Sequence, residues 1–388
     1  MRSPVRVALA VLVAGVLGAG VLTSAGASPS EVTDTSASAA SPGHRSGDPI
    51  ILGHRGAAGY RPEHTSEGNE LAAAFGADYF EPDLVPTKDG VLVDRHEPDI
   101  SQTTDVASHP EFASRKRTVM IDGITTTGWF TFDFTLAELK TLRAIERLPD
   151  IRQHNTLYNG RDTVPTFQED LDQRSALSRE FHRTLGIVPE IKHSTFFASI
   201  GLPMEQRVLD VLRLNHFDHV GAPVIIQSFE VGNLQWLHRR TPVPLMQLTG
   251  ATGAPADLIA NGDPRTYADI TTPVGLREVA RYAIYLGPDK NQIVPRDVNQ
   301  KLMSPTPLVR DAHSAGLLVT PYTFRNENTF LPLDYRSGTN PGDYGNAFAE
   351  YALFFALGVD GMFSDNSDTA VAARDQWIHA GRPVRAAA

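Results

Sequence analysis

The sequence predicts an α/β chain folded as a (β/α)8 TIM barrel with an insertion early in the barrel, and three observations lead there. Short β-branched or apolar runs bounded by Gly, Pro or charge recur eight times, over residues 49–53, 79–85, 187–191, 224–227, 244–247, 282–286, 317–321 and 359–363. Between most of them lie amphipathic segments of helical spacing, over 67–75, 205–214, 230–237, 307–315 and 344–356. Strands alternating with helices imply a parallel sheet, and eight such units imply closure into a barrel. The third observation concerns the structural alternative, an open doubly wound sheet: no Gly-rich dinucleotide fingerprint or phosphate-cradling loop follows a strand.

The first residues stand outside the barrel. Residues 1–27 carry Arg2 and Arg6, an apolar run over 7–22 and then Ala25-Gly26-Ala27, the pattern of a secretory signal cut after Ala27. A membrane helix is the competing reading, but the run is short, broken by glycines and ends in small residues. No other segment approaches the roughly 20 apolar residues of a spanning helix, so no stable membrane anchor is expected. Residues 28–48, mostly Ser, Ala, Thr, Gly and Pro, read as a disordered leader. The barrel domain is expected over 49–375, with a tail over 376–388. The absence of cysteine excludes disulfides, thiol nucleophiles and Cys-rich zinc sites, and suits a secreted or periplasmic protein of bacterial export.

The formal net charge of −10 argues against a nucleic-acid partner or an anionic membrane surface, which would select a basic face. An anionic substrate must then be met by a local cluster of positive charge and metal. Residues 97–186 separate an early strand from the next convincing one and are read as the insertion. They hold a polar stretch over 105–128, a helix over 135–140 with Thr135 as its cap, and Val164-Pro165-Thr166-Phe167 leading into another helix. An insertion of this size shapes the barrel mouth and so selects the substrate, unless it is merely decorative. Within it, Trp129-Phe130-Thr131-Phe132 reads as a small core of its own or as a grip on part of the substrate.

The chemistry concentrates in residues 54–97. His54-Arg55-Gly56, Glu81-Pro82-Asp83 and His96-Glu97 bring two histidines, an arginine and two spaced carboxylates into one span, the side chains that metal-assisted work on a phosphate ester needs. Glu81 and Asp83 lie two apart at a strand end, so one face carries both. Glu190 ends another expected strand, and the three carboxylates together suit Ca²⁺ or Mg²⁺; ion pairing with Arg55 and Lys192 is the alternative. His54 and His96 stand out from the 13 histidines because each follows an apolar strand-like run toward the mouth.

On these residues the sequence resembles the glycerophosphodiester phosphodiesterase family, in particular its exported bacterial branch. The resemblance is carried by His54-Arg55-Gly56, Pro62-Glu63-His64-Thr65, Gly76-Ala77-Asp78, Glu81-x-Asp83, Thr87-Lys88-Asp89-Gly90, His96, Val164-Pro165-Thr166-Phe167, Pro189-Glu190-Ile191-Lys192, Gln227-Ser228-Phe229, Pro321-Tyr322-Thr323 and Gly358-Val359-Asp360-Gly361, in the family's order. It implies a metal held by Glu81, Asp83 and Glu190, Ca²⁺ in preference to Mg²⁺, with His54 and His96 as the acid/base pair and Arg55 and Lys192 on the phosphate. It further implies hydrolysis of glycerophosphodiesters to an alcohol and sn-glycerol 3-phosphate through a cyclic phosphate. Phe229 and Tyr322 would then form an apolar wall beside glycerol or serve as ordinary packing.

Some positions depart from the family pattern. Asp94-Arg95 precede His96 where apolar residues are usual, which predicts a more exposed local strand. Glu97 stands where Asp is common, no arginine precedes Thr103-Thr104, and Ser364-Asp365-Asn366-Ser367 replaces a Thr-Asp-aromatic-Pro run. None of these is expected to touch the ligands or histidines. Other readings of the same barrel are a phospholipase D-type lyase on lysophospholipid or sphingomyelin, a teichoic acid hydrolase, and a non-catalytic exported binding protein.

Overall fold

The structure, a computed structural model, describes residues 47–381. The predicted signal and all but the last two residues of the predicted leader lie outside that range, as do residues 382–388. Each of the eight predicted runs contributes to one strand of a parallel ring. The first strand is Ile50–Gly53, and the second comes in two pieces, Tyr79–Phe80 and Asp83–Pro86. The third is also split, into Gly186–Ile187 and Glu190–Ile191. Ile226–Ser228, Leu245–Thr249, Tyr285–Pro288, Leu318–Val319 and Gly361–Ser364 follow as the fourth to eighth. Successive strands pair in parallel, and the eighth pairs with the first from Ile50↔Gly361 to Gly53↔Ser364. The circuit closes between the seventh and eighth where the Phe363 N–H donates to the Pro321 carbonyl at 3.0 Å and the Phe324 N–H to the Phe363 carbonyl at 2.9 Å.

The two splits share a cause. Pro82 and Pro189 have no N–H to give to the ladder. Their carbonyls still accept, from Glu190 at 2.9 Å and Gln227 at 3.0 Å, so each strand bends at its proline without leaving the ring. Leu52, Val188, Ile225, Met246, Leu248 and Phe363 fill the interior, with Tyr79 against them. Gly186 is small because the Tyr79 ring occupies the space beside it: a Cβ there would sit 2.1 Å from ring carbons.

The helices Ser66–Ala74, Glu205–Leu214, Val231–His238, Leu308–Ser314 and Ala347–Leu357 lie within a few residues of their expected spans. Gly358 ends the last of these in the left-handed region, at φ 86°. The final helix, Ser367–His379, extends four residues into the stretch expected to be a tail.

The insertion differs from its expected outline in two respects. A strand, Leu92–Asp94, first folds back antiparallel on Asp83–Pro86, and a hairpin of Arg117–Ile121 with Ile124–Gly128 follows. The helix Phe167–Glu180, started by a Thr166/Glu169 capping box, packs on Leu92–Asp94, Gly186–Ile187 and Ser66–Ala74. It is therefore the helix of the barrel's second β/α unit, and the insertion proper ends by Thr166. Thr135 caps Leu136–Leu139 with a capping box of its own, as its spacing to Glu138 predicts. The aromatic run does not make a separate core: Phe132 meets Phe130, Phe196 and Phe197, joining the insertion to the barrel's main core.

Candidate active site

The first strand delivers His54 and Arg55 to the mouth through a tight reversal. Arg55 and His64 both take left-handed backbone, each at φ 56°, a conformation that costs a non-glycine residue about 1 kcal/mol or more. Three main-chain bonds hold it: the His54 N–H to the Ser364 carbonyl, the His64 N–H to the Arg55 carbonyl, and the Arg55 N–H to Glu81 Oε2 at 3.1 Å.

Glu81 and Asp83 flank Pro82 on the second strand, and Asp83 stands level with Glu190 on the third. One carboxylate oxygen from each lies within 4.8 Å of the other two, and all three residues are buried. Three carboxylates at this distance repel one another in a poorly solvated site. Burial and the neighbouring charges push Glu81 and Glu190 up, whereas Asp83, despite its burial, is held well below the usual carboxylate range by His64. Glu81 is otherwise steadied by Gln227 Nε2 at 2.6 Å and Glu190 by Lys192 Nζ at 3.0 Å. Asp83 Oδ1 is buried without a hydrogen-bond partner among the described residues. An orphaned carboxylate oxygen inside an all-oxygen cluster fits a hard divalent cation, which would compensate the excess negative charge.

Positive charge stands beside this cluster. Arg55 Nη1 bonds Glu63 Oε2 at 2.9 Å, and Arg55 Nε lies 3.9 Å from Asp83 Oδ2. Lys192 Nζ reaches His96 Nε2 at 3.2 Å, and His96 Nδ1 faces Glu97 Oε1 at 3.1 Å. His96 keeps a side-chain exposure of 30 %, and desolvation with Arg55 and Lys192 beside it pushes its imidazole down. His54 is more enclosed. Burial lowers it to about 4 against the pull of Asp365, whose Oδ1 lies 2.5 Å from His54 Nδ1. His54 Nε2 points to Thr323 Oγ1 at 3.3 Å and lies 3.8 Å from Glu81 Oε2.

The expectation that the departures at Glu97 and at Ser364-Asp365-Asn366-Ser367 touch neither histidine is corrected: Glu97 faces His96 and Asp365 meets His54, because both strand ends converge at the mouth. Asp365 would be raised by its burial, but Arg325 and Arg152 hold it well below its ordinary range, each donating to Oδ2, at 2.8 and 2.6 Å. A buried carboxylate in this position fixes which nitrogen of the imidazole carries the proton. Arg152 comes from the insertion, so the excursion reaches the site. Asp365→Asn is expected to lower kcat about 10- to 100-fold with KM little changed, and to cost about 1–3 kcal/mol in denaturant unfolding, because the partly buried Arg325 loses its carboxylate and the buried Arg152 keeps only Glu327.

His64 is the second addition. It is fully buried, with Nε2 3.0 Å from Asp83 Oδ2 and Nδ1 2.5 Å from Asp94 Oδ1. Burial alone would lower it; Asp94 and Asp83 outweigh that and raise it to about 10, which favours its charged form. Asp94 Oδ1 also accepts the Asp83 N–H at 2.8 Å, and the Arg95 N–H donates to the Asp83 carbonyl at 2.7 Å. The expectation of an exposed strand at Asp94-Arg95 is therefore corrected. Both are fully buried because they pair with His64 and with the strand carrying Asp83, and Asp94 touches the support of a candidate ligand.

All the expected site residues except Lys192 line one cavity of about 370 Å³, and Lys192 contacts its wall through Glu190 and His96. Phe229 and Tyr322 meet edge to face there, with centroids 5.8 Å apart. A second cavity of about 510 Å³ shares Arg55 and His96 with the first and is otherwise walled largely by the insertion.

A parallel barrel whose C-terminal strand ends combine a buried acidic triad, two unlike histidines and paired Arg and Lys defines a phosphoester-processing class of protein. The comparison with known proteins agrees: the model of the glycerophosphoryl diester phosphodiesterase family matches residues 54–369, and the chain belongs to that family. Glycerophosphodiester phosphodiesterase GDPD6 of Arabidopsis thaliana is 37% identical over 330 residues, covering 82% of this chain and 83% of that one. A putative glycerophosphoryl diester phosphodiesterase of Silicibacter pomeroyi has a similar solved structure, with TM-score 0.60 and 20% identity, covering 86% of this chain and 95% of that one. An Oleispira antarctica phosphodiesterase, solved in complex with the product sn-glycerol-3-phosphate, gives TM-score 0.52 at 20% identity, covering 84% of this chain and 97% of that one.

Proposed function

We propose that the chain is an exported, divalent-metal-dependent hydrolase that cleaves glycerophosphodiesters to an alcohol and sn-glycerol 3-phosphate. The observation carrying this reading is the convergence of Glu81, Asp83 and Glu190 with His54 and His96 around one cavity. Family membership and the product bound to the Oleispira antarctica phosphodiesterase support the substrate.

Glu81, Asp83 and Glu190 would hold the cation, Ca²⁺ in preference to Mg²⁺, since Ca²⁺ accepts oxygens at about 2.3–2.6 Å in flexible arrangements. When bound, it counters the charge of the phosphodiester. Arg55 and Lys192 bind the phosphate oxygens and fix the diester with its glycerol end against Phe229 and Tyr322. The negative charge of the diester also offsets the cations that depress His96. His54, which lines only the first cavity, takes the proton of the glycerol 2-hydroxyl as that oxygen attacks phosphorus. His96, at the junction with the second cavity, gives a proton to the departing alcohol oxygen as its bond to phosphorus breaks. Water then opens the cyclic phosphate with the roles reversed: His96 accepts the water proton and His54 returns one to the 2-oxygen.

The reading is tested by following glycerophosphocholine with ³¹P NMR. The expected products are sn-glycerol 3-phosphate and choline, after a transient cyclic phosphate signal. Release of phosphocholine, or no turnover with Ca²⁺ supplied, would overturn it. Export rests on the signal pattern of residues 1–27 and is checked by an extracellular or periplasmic product beginning at Ser28.

A further inference from the structure

The second cavity has a wall chemistry of its own. It opens from His96 and Arg55 and runs beneath the insertion hairpin, along Glu63, Thr103, Ile121, Ile124 and Thr126. Glu63 and Thr103 are both more than nine-tenths buried, and each keeps a polar atom without a hydrogen-bond partner among the described residues: Glu63 Oε1 and Thr103 Oγ1. The Glu63 case follows from an asymmetry, because Arg55 Nη1 and Arg147 Nε both bond the same oxygen, Oε2, each at 2.9 Å. A buried acceptor and a buried hydroxyl left unpaired beside a cavity are costly unless a ligand completes them.

Three of the four carboxylates along this cavity face cationic or ionisable partners, and Asp99 faces the neutral Ser101. Glu63 is shared by two arginines; Glu97 faces His96 and His193; Asp122 faces His193 at 2.6 Å; Asp99 Oδ1 accepts from Ser101. Among the described residues no tryptophan or tyrosine lines it, and its phenyl ring, Phe130, is fully buried. An ammonium headgroup would want an exposed aromatic face, which the cavity lacks, whereas a carboxylate such as Asp99 serves hydroxyl donors as well. A polyhydroxylated alcohol wants what is present: unpaired acceptor and hydroxyl groups, with Ile121 and Ile124 for its C–H faces.

We infer that the second cavity is the subsite of the departing alcohol and is built for a polyol, such as a second glycerol, a cyclitol or a sugar, with Glu63 and Thr103 completing its hydroxyls. This rests on the proposed hydrolysis of glycerophosphodiesters and narrows it. The test compares kcat/KM for glycerophosphoinositol and glycerophosphocholine in the Ca²⁺-loaded enzyme. The inositol ester is expected to be favoured about tenfold. Thr103→Val, which deletes one hydroxyl at nearly constant volume, is expected to erase most of that preference. Ile124→Trp, at an exposed hairpin position, supplies an aromatic face and should shift the ratio toward choline even if Thr103→Val does not fold. Equal or preferential cleavage of the choline ester by the wild type, or an unchanged ratio in the variants, would overturn the inference while leaving hydrolysis itself intact. Failure to cleave either ester would instead remove the proposed function.

Discussion

Alanine in place of His54 or of His96 is expected to lower kcat for glycerophosphocholine by about 10²–10⁴-fold, the usual range for a lost general acid or base. The two variants should then part company. His96 stands where the two cavities meet and His54 lines only the first. A substrate whose leaving group needs no proton, the 4-nitrophenyl ester of glycerol 3-phosphate, should recover most of its release rate in His96→Ala and little in His54→Ala. Burst kinetics of nitrophenolate measure this directly. Recovery in His54→Ala alone would exchange the two roles.

The second large effect concerns the carboxylates, which are not equivalent. Asp83 is bound into a chain of buried charge, with His64 on its side chain and Asp94 on its N–H. Asp83→Asn leaves the His64 imidazolium with one anion instead of two and removes the oxygen that has no protein partner. Cation affinity by calorimetry is expected to fall at least 100-fold, and the metal-free protein to lose about 1–3 kcal/mol in denaturant unfolding. Burial and the Asp83 carboxylate push the proton affinity of Glu190 up against the pull of Lys192, so with no metal present Glu190→Gln relieves the repulsion from Asp83 while Lys192 keeps Asp83 and Glu97 as counter-charges. That variant should bind the cation poorly as well, yet its metal-free form should melt no lower than wild type. Opposite stability effects from two ligand variants would separate a ligand that is preorganised by protein from one that is held apart until the cation arrives.

Much of this architecture is legible in the chain itself, because periodicity and punctuation are local. Each apolar run became a barrel strand, and Thr135 became the cap that its spacing to Glu138 predicts. The prolines were harder to read: Pro82 and Pro189 divide strands that the pattern treats as continuous, since their carbonyls keep the ladder while their missing N–H groups break it. The residues that could touch substrate or metal announce themselves by type and context. Their supports do not. Asp365 meets His54 across 311 positions, and Arg152 reaches it from within the insertion. No local pattern encodes such pairs. Asp94 and Arg95 misled for a related reason: charge on a short strand reads as exposure until a buried partner is known, and here that partner is His64, in a motif whose positive charge the sequence alone does not reveal.

The central claim is that Glu81, Asp83 and Glu190, drawn from two strands and more than 100 positions of chain, form one cation site on which the reaction depends. The most direct measurement is a Ca²⁺ titration of chelator-treated protein, with heat of binding and glycerol 3-phosphate release from glycerophosphocholine recorded on the same samples. The account predicts negligible release after chelation, one ion bound per chain, and activity that rises along the binding curve and is lost with it in Asp83→Asn. Full turnover in excess chelator, or a Ca²⁺ binding curve that Asp83→Asn leaves unchanged, would contradict it.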